Sequence, residues 1–159
     1  MARYANDGMV RWDFVPTIAN KAAPTTAELG AGTPLASWTT KDGLTVPANQ
    51  NMVDDANLSD TFDAQVVGSF GGPLSMTMKR DSVPANDTAW NLIVYGLTGF
   101  VVVRRGVASA TAWTAAQKAE VYPCMFHEPV PAQTATNEQG RFTATAAVTS
   151  QPNLKATVA

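Results

Sequence analysis

The sole cysteine and sole histidine, Cys124 and His127, lie in the segment AEVYPCMFHE. A Cys/His dyad needs both side chains on one side of the backbone, but a separation of three residues on a strand sends them to opposite faces. Zinc asks for four nitrogen or sulfur ligands, or three and an open position, and one of each does not suffice without carboxylates. The acidic run NMVDDANLSD invites a calcium test. Counted from Asp55, the sixth and twelfth positions of an EF-hand loop hold Asp60 and Val66, where Gly and Glu are required. A solvated acidic loop is the simpler reading. The glycines of GLTG at 96–99 follow a helical pattern, whereas phosphate-cradling loops precede one. Arg104 and Arg105 suit either a solvated strand end or an acidic neighbour. The sequons Asn57-Leu-Ser59 and Asn86-Asp-Thr88 read as chance matches, because MARYANDGMVRW has no apolar core segment of a secretory signal. No residue set here is a catalytic signature, and no cofactor is expected.

The whole composition narrows the class further. The 159 residues are expected to form one domain, long enough to hide roughly 70% of the unfolded surface. A net charge of −2 from 11 basic and 13 acidic residues argues against tight nucleic-acid binding, which needs many cations on phosphate. Only 15% of residues are charged, leaving room for protein–protein contact. No apolar run approaches the ~20 residues that span a bilayer. A single cysteine fits folding in a reducing cytoplasm.

The elements that would position these residues are mainly strands. Residues 1–60 read as an extended arm and a long loop, punctuated by Pro16, Pro24, Pro34 and Pro47. Within it VRWDFVP suggests a strand, and Thr25 to Glu28 has capping-box spacing. The loop over Gly30–Asp60 is long enough to be functional or ordered by a partner. From Asp42 to Met78 the acids Asp42, Asp54, Asp55, Asp60 and Asp63 face no basic residue. Residues 61–80 alternate: Phe62, Val66, Phe70, Leu74, Met76 and Met78 are apolar, and the intervening positions are mostly polar. A three-residue Gly-Gly-Pro loop pairing Phe70 with Leu74 and Val66 with Met78 keeps one face apolar. In NDTAWNLIVYGLTGFVVVRRG, Asn86 or Asp87 caps a helix over 86–95. Its stripe is Ala89, Trp90, Ile93, Val94 and Leu97, and it runs into an apolar strand. AEVYPCMFHE is a strand with Pro123 at an edge or bulge. RFTATAAVTS alternates again, and Leu154, Ala156 and Val158 suggest a last strand. The expected fold is mainly β: a β-sandwich or partly open barrel of about six or more strands, the core over 61–159, with one flanking helix.

Taken together, VRWDFVPTIANKAAPTTAELGAGTPLASW, WNLIVYGLTGFVVVRRG, EVYPCMF and FTATAAVTSQPNLKATVA resemble the major tail (tail tube) proteins of long, non-contractile-tailed bacteriophages, particularly those of actinobacteria. The resemblance implies a structural virion protein, made in the host cytoplasm, with a β-sandwich-like domain and one helix. It implies homohexameric rings with a continuous inner barrel, stacked around the tape measure protein. Tail terminator and distal tail proteins would be partners, and DNA would pass in transit. Under that implication a tube wall should not grip phosphate. The lumen candidates are therefore the short polar side chains Asp63, Gln65, Ser69, Ser75 and Thr77, joined by Thr143 and Thr145. The apolar face of the 61–80 hairpin would then lie against the helix bearing Trp90 and Ile93. The inter-subunit contact candidates are Trp12, Phe14, Trp38, Asp54, Asp55, Arg104 and Arg105. The alternative is a non-catalytic binding module for a carbohydrate or protein ligand, with Trp12, Trp38 or Trp113 stacking on sugar.

Overall fold

The computed structural model describes residues 5–47, 49–59, 61–133 and 135–159. In chain order the elements are β1 (Val10–Val15), α1 (Thr26–Gly30), β2 (Thr33–Pro34), β3 (Thr39–Thr45), β4 (Asn49–Asp54), β5 (Gln65–Gly71) and β6 (Leu74–Lys79). They continue with α2 (Thr88–Leu92), β7 (Thr98–Arg105), β8 (Lys118–Phe126), β9 (Val130–Pro131), β10 (Arg141–Val148) and β11 (Asn153–Thr157). The protein is mainly β, as the alternation indicates.

One large antiparallel sheet runs in the order β2-β1-β7-β8-β10-β6-β3, with β11 added to β8 and β9 to β10. The far sides of that order approach each other: Trp12 Nε1 on β1 donates to Thr39 Oγ1 on β3 at 2.8 Å. The sheet is therefore one rolled layer, not the two separate sheets of a sandwich. Its inner face holds Trp12, Phe14, Leu74, Met76, Met78, Val101, Val103, Phe126, Phe142 and Ala144, capped by Ala89 and Ile93 of the α2 region. A second core covers the outer face of β1, β7, β8 and β11 with Leu29, Ile18, Trp113 and Val158. A strand buried on both faces loses its alternation, and Val121 to Cys124 of β8 are all buried. The outer face of β6 and β10 has no such cover, so their burial alternates.

Local chemistry explains several details. Thr25 and Glu28 form the expected capping box at α1. At Gly99 an added Cβ would meet the Phe14 ring at 2.6 Å, so only glycine lets that ring cross β7. Pro123 is not at an edge, because β8 is interior. It stands where the neighbour of β8 changes from β11 to β10. Its carbonyl accepts from the Thr149 N–H at 2.9 Å, so its missing donor falls in the gap between those strands.

Three expectations need correction. The helix over 86–95 is only Thr88–Leu92, preceded by a 3-10 turn at Pro84–Asn86. The Gly96 N–H donates to Phe126 O, and the Phe126 N–H donates to Leu97 O. Those bonds draw the chain into the sheet, and Val94 is left exposed. The loop over Gly30–Asp60 contains β2, β3 and β4. Finally, β5 and β6 do not pair with each other. β5 pairs with β4 in a separate two-stranded ribbon, and β6 lies between β10 and β3.

Candidate assembly surfaces

The residues best suited to reaction chemistry are dispersed. Cys124 is buried, and burial pushes its thiol up to about 12. His127 is exposed just past the end of β8. The cleft of about 590 Å³ between the 6–10 segment and β3 is lined by neither. Among the described residues no group of three His, Cys, Asp or Glu could hold a metal ion. The acidic run serves a turn. Asp54 Oδ1 accepts from the Ala56 N–H at 3.0 Å, and the Asp55 N–H donates to Ala64 O at 2.9 Å. Asp60 lies outside the described residues.

The contact candidates divide by burial. Trp12, Phe14 and Arg104 are buried in the chain itself and have no surface to offer a neighbour. Arg104 donates to the carbonyls of Ala108, Thr111 and Ala112 and to Gln117 Oε1, while its guanidinium stacks on Trp113 at 4.9 Å. It thereby ties the 107–117 loop to the sheet. Burial, then the Arg11 charge, lowers its pKa, and Asp13 opposes them. Asp13 is fully buried; it accepts from Arg11 at 2.8 Å and from Trp113 Nε1 at 2.6 Å. Reasoning on sequence missed Asp13, although a carboxylate inside VRWDFV was the available signal. Arg105 pairs with Glu120 of the same chain at 2.9 Å. Trp38 is half-buried against the main core. Asp54 and Asp55 remain exposed.

The seven lumen candidates fall into two groups. Thr77 lies opposite Thr143 and Ser75 opposite Thr145, so these four share the outer face of β6 and β10. Thr45 extends the row opposite Ser75. Gln65 and Ser69 belong instead to the ribbon, with Asp63 just before it. Ser69 Oγ accepts from Asn51 Nδ2 at 3.0 Å.

The ribbon and its tip carry a concentration of uncovered apolar side chains. Met52, Val53, Val66 and Phe70 are each more than half exposed, Phe62 is 78% exposed and Val67 87%, and Leu58 in the tip is wholly exposed. Phe62, Val66 and Phe70 therefore do not pack on the α2 region, whereas Leu74 and Met78 do share its core. An isolated pair of strands is marginal in water. The ladder partners Thr45–Ser75 and Asn49–Gly71 share one register, which sets Pro47 across from Pro73. Neither proline can donate a ladder bond, so the long hairpin breaks there into body and ribbon.

A family model described as phage tail tube protein matches residues 1–159. The chain belongs to the phage tail tube proteins. A search of curated proteins found no match. Among solved structures, a chain of the cryo-EM structure of the anti-feeding prophage baseplate, six-fold symmetrised, is similar at a TM-score of 0.57 and 9% identity, with 96% of each chain covered. That likeness is one of fold. As a tail tube protein the chain is a structural component of the virion tail that assembles with other copies and tail components. In the lone subunit the open ribbon keeps Val67 and Phe62 in water, and exposed apolar patches of this kind are where interaction sites are sought.

Proposed function

We propose that this tail tube protein is the repeating subunit of the tube: six copies close into a ring, and rings stack around the tape measure protein between distal tail and terminator proteins. DNA passes through the finished lumen, and the chain performs no reaction. The observation that carries the reading is the β4–β5 ribbon, an apolar two-stranded arm with neither face covered. Six-fold order is supported by the six-fold symmetrised assembly whose chain shares the fold. Ring closure would also hide strand edges that otherwise template uncontrolled pairing.

The lumen wall in this reading is the Ser75, Thr77, Thr143, Thr145 face. Small hydroxyl side chains hydrogen-bond to water and carry no charge, so DNA sliding past would release no counterions to them. The binding-module alternative loses two of its three tryptophans, because Trp12 and Trp113 are buried and cannot present a ring to sugar; Trp38 is half-buried against the main core.

Electron microscopy of concentrated protein, supplied with its tape measure and distal tail proteins, tests the assembly. Regular tubes with six-fold end views are expected. A monodisperse globular species under those conditions would refute it. Lysine at all four hydroxyl positions should leave tubes intact and slow genome delivery in phage carrying the variant; undiminished delivery would remove the lumen assignment.

A further inference from the structure

Arg141 on β10 and Lys79 on β6 stand directly opposite each other, in the same register that sets Thr143 opposite Thr77 and Thr145 opposite Ser75. Residues two apart share one face of a strand. The two cations therefore end the hydroxyl row, about 7 Å beyond Thr77 and Thr143. Like charges directly opposite each other destabilise a sheet, and the subunit supplies nothing to offset them. Among the described residues neither side chain has an acidic partner. β6, β9 and β10 contain no Asp or Glu. The carboxylates that follow β6 are engaged: Asp87 pairs with Arg80, and Asp81 Oδ1 accepts from the Val83 N–H at 2.8 Å. Glu138, in the turn before β10, is exposed and pairs with neither cation.

The chemistry of this end is that of an anion contact. A chain of net charge −2 has no general attraction for a polyanion, so any such contact is local. An ammonium and a guanidinium only donate hydrogen bonds, and phosphate oxygens accept from both with charge assistance. A phosphate between them would replace repulsion by attraction. The row behind the pair favours an extended anion over a single small one. From Lys79 to Ser75 it runs about 13 Å, and its hydroxyls are groups that contact successive phosphate oxygens without adding charge.

We infer that Lys79 and Arg141 form a phosphate contact for double-stranded DNA, one in each subunit, at the end of the face assigned to the lumen. The inference rests on that assignment and names the point at which the wall touches its cargo. The uncharged hydroxyls release no counterions, so the grip is confined to two cations. Neutralising two phosphates gives a salt slope of about −1.8, and affinity then falls about tenfold between about 50 and about 200 mM salt. A contact this shallow slows a passing duplex without holding it.

The test is a titration of the full-length monomer with a short DNA duplex at low salt, read residue by residue through amide chemical shifts. Shifts should centre on Lys79, Arg141 and the neighbouring threonines and weaken about tenfold over the salt range above. Lys79→Gln with Arg141→Gln should abolish them, with urea denaturation confirming that the variant folds. Phage carrying both changes should deliver DNA faster than the parent, the opposite of the effect expected from added lysines. Absence of shifts, or shifts centred elsewhere, overturns the inference. So does an equal response to inorganic phosphate at matched ionic strength, which would mark a small-anion site, and so does an unchanged delivery rate. If the variant binds duplex as the unaltered chain does but forms fewer tubes around the tape measure protein, the pair serves that protein and the DNA contact is refuted. The titration needs no assembly, so its failure leaves the tube reading standing; absence of tubes from the unaltered chain is the result that removes the tube reading.

Discussion

Replacing Leu58, Phe62 and Val67 together by serine separates the two roles that an apolar side chain can have. In the isolated subunit Phe62 is 78% and Val67 87% exposed, and Leu58 has no cover at all. Their removal therefore takes away almost nothing that folding buries, and each change should move monomer stability by no more than about 0.5 kcal/mol. Covering a Leu, Phe or Val side chain completely is worth about 1.5–3 kcal/mol. If a neighbour covers only half of each, the three together contribute about 3 kcal/mol to every docked ribbon, which is roughly a hundredfold in association.

The assay has two parts. Urea denaturation of dilute monomer measures folding, and sedimentation across a concentration series measures the critical concentration for tubes. The expected result is an unchanged denaturation midpoint with a critical concentration raised about a hundredfold. The monomer should also become more soluble, since an apolar ribbon with free edges is an aggregation site. An unchanged critical concentration would refute the reasoning. So would a stability loss above about 2 kcal/mol, because the ribbon would then belong to the folded core rather than to the interface.

Asp13→Asn should lower monomer stability by about 3–5 kcal/mol in urea titration, because it leaves the largely buried Arg11 guanidinium without its carboxylate and removes the negative charge that offsets the burial of Arg104. Trp113→Phe removes a single donor to Asp13 and should cost less. Glu28 is held below the ordinary carboxylate range by the backbone N–H groups of Ala19 and Thr25. Its contribution is therefore present above the unfolded value and lost as pH falls through the lowered one; Glu28→Gln should flatten the loss of stability as pH falls below the ordinary carboxylate range. Cys124, buried and with its thiol pushed up to about 12, should resist a thiol reagent at pH 8 in native protein and react once denaturant is added.

Legibility in the sequence followed burial. β6 and β10 were readable because one face of each is core and the other is not: Leu74, Met76 and Met78 alternate with Ser75, Thr77 and Lys79. The Thr25–Glu28 cap was readable because it is wholly local. β3 was not, since in TTKDGLT only Gly43 is fully buried and the pairing with β6 is irregular between Thr39 and Leu44. The overlong helix has a tertiary cause. Leu97 keeps the spacing of the helical stripe, but Phe126 claims the backbone groups of Gly96 and Leu97, and no local pattern announces that competition. The buried Asp13, Arg104 and Trp113 cluster joins residues about a hundred positions apart, beyond the reach of spacing rules.

The misassigned hairpin has a different origin. Val66, Gly68 and Phe70 alternate as cleanly as Leu74, Met76 and Met78, so parity treats both as faces of one core. Alternation says that a face will be covered; it does not say by which molecule. The β6 set is covered within the chain and the β5 set is not, and the difference is marked by the paired breaks at Pro47 and Pro73. Beyond that break the hydrophobic pattern describes a surface that the chain does not bury. Pairing Val66 with Met78 would place both in one core, whereas Val66 pairs with Val53 on the ribbon and stays more than half exposed.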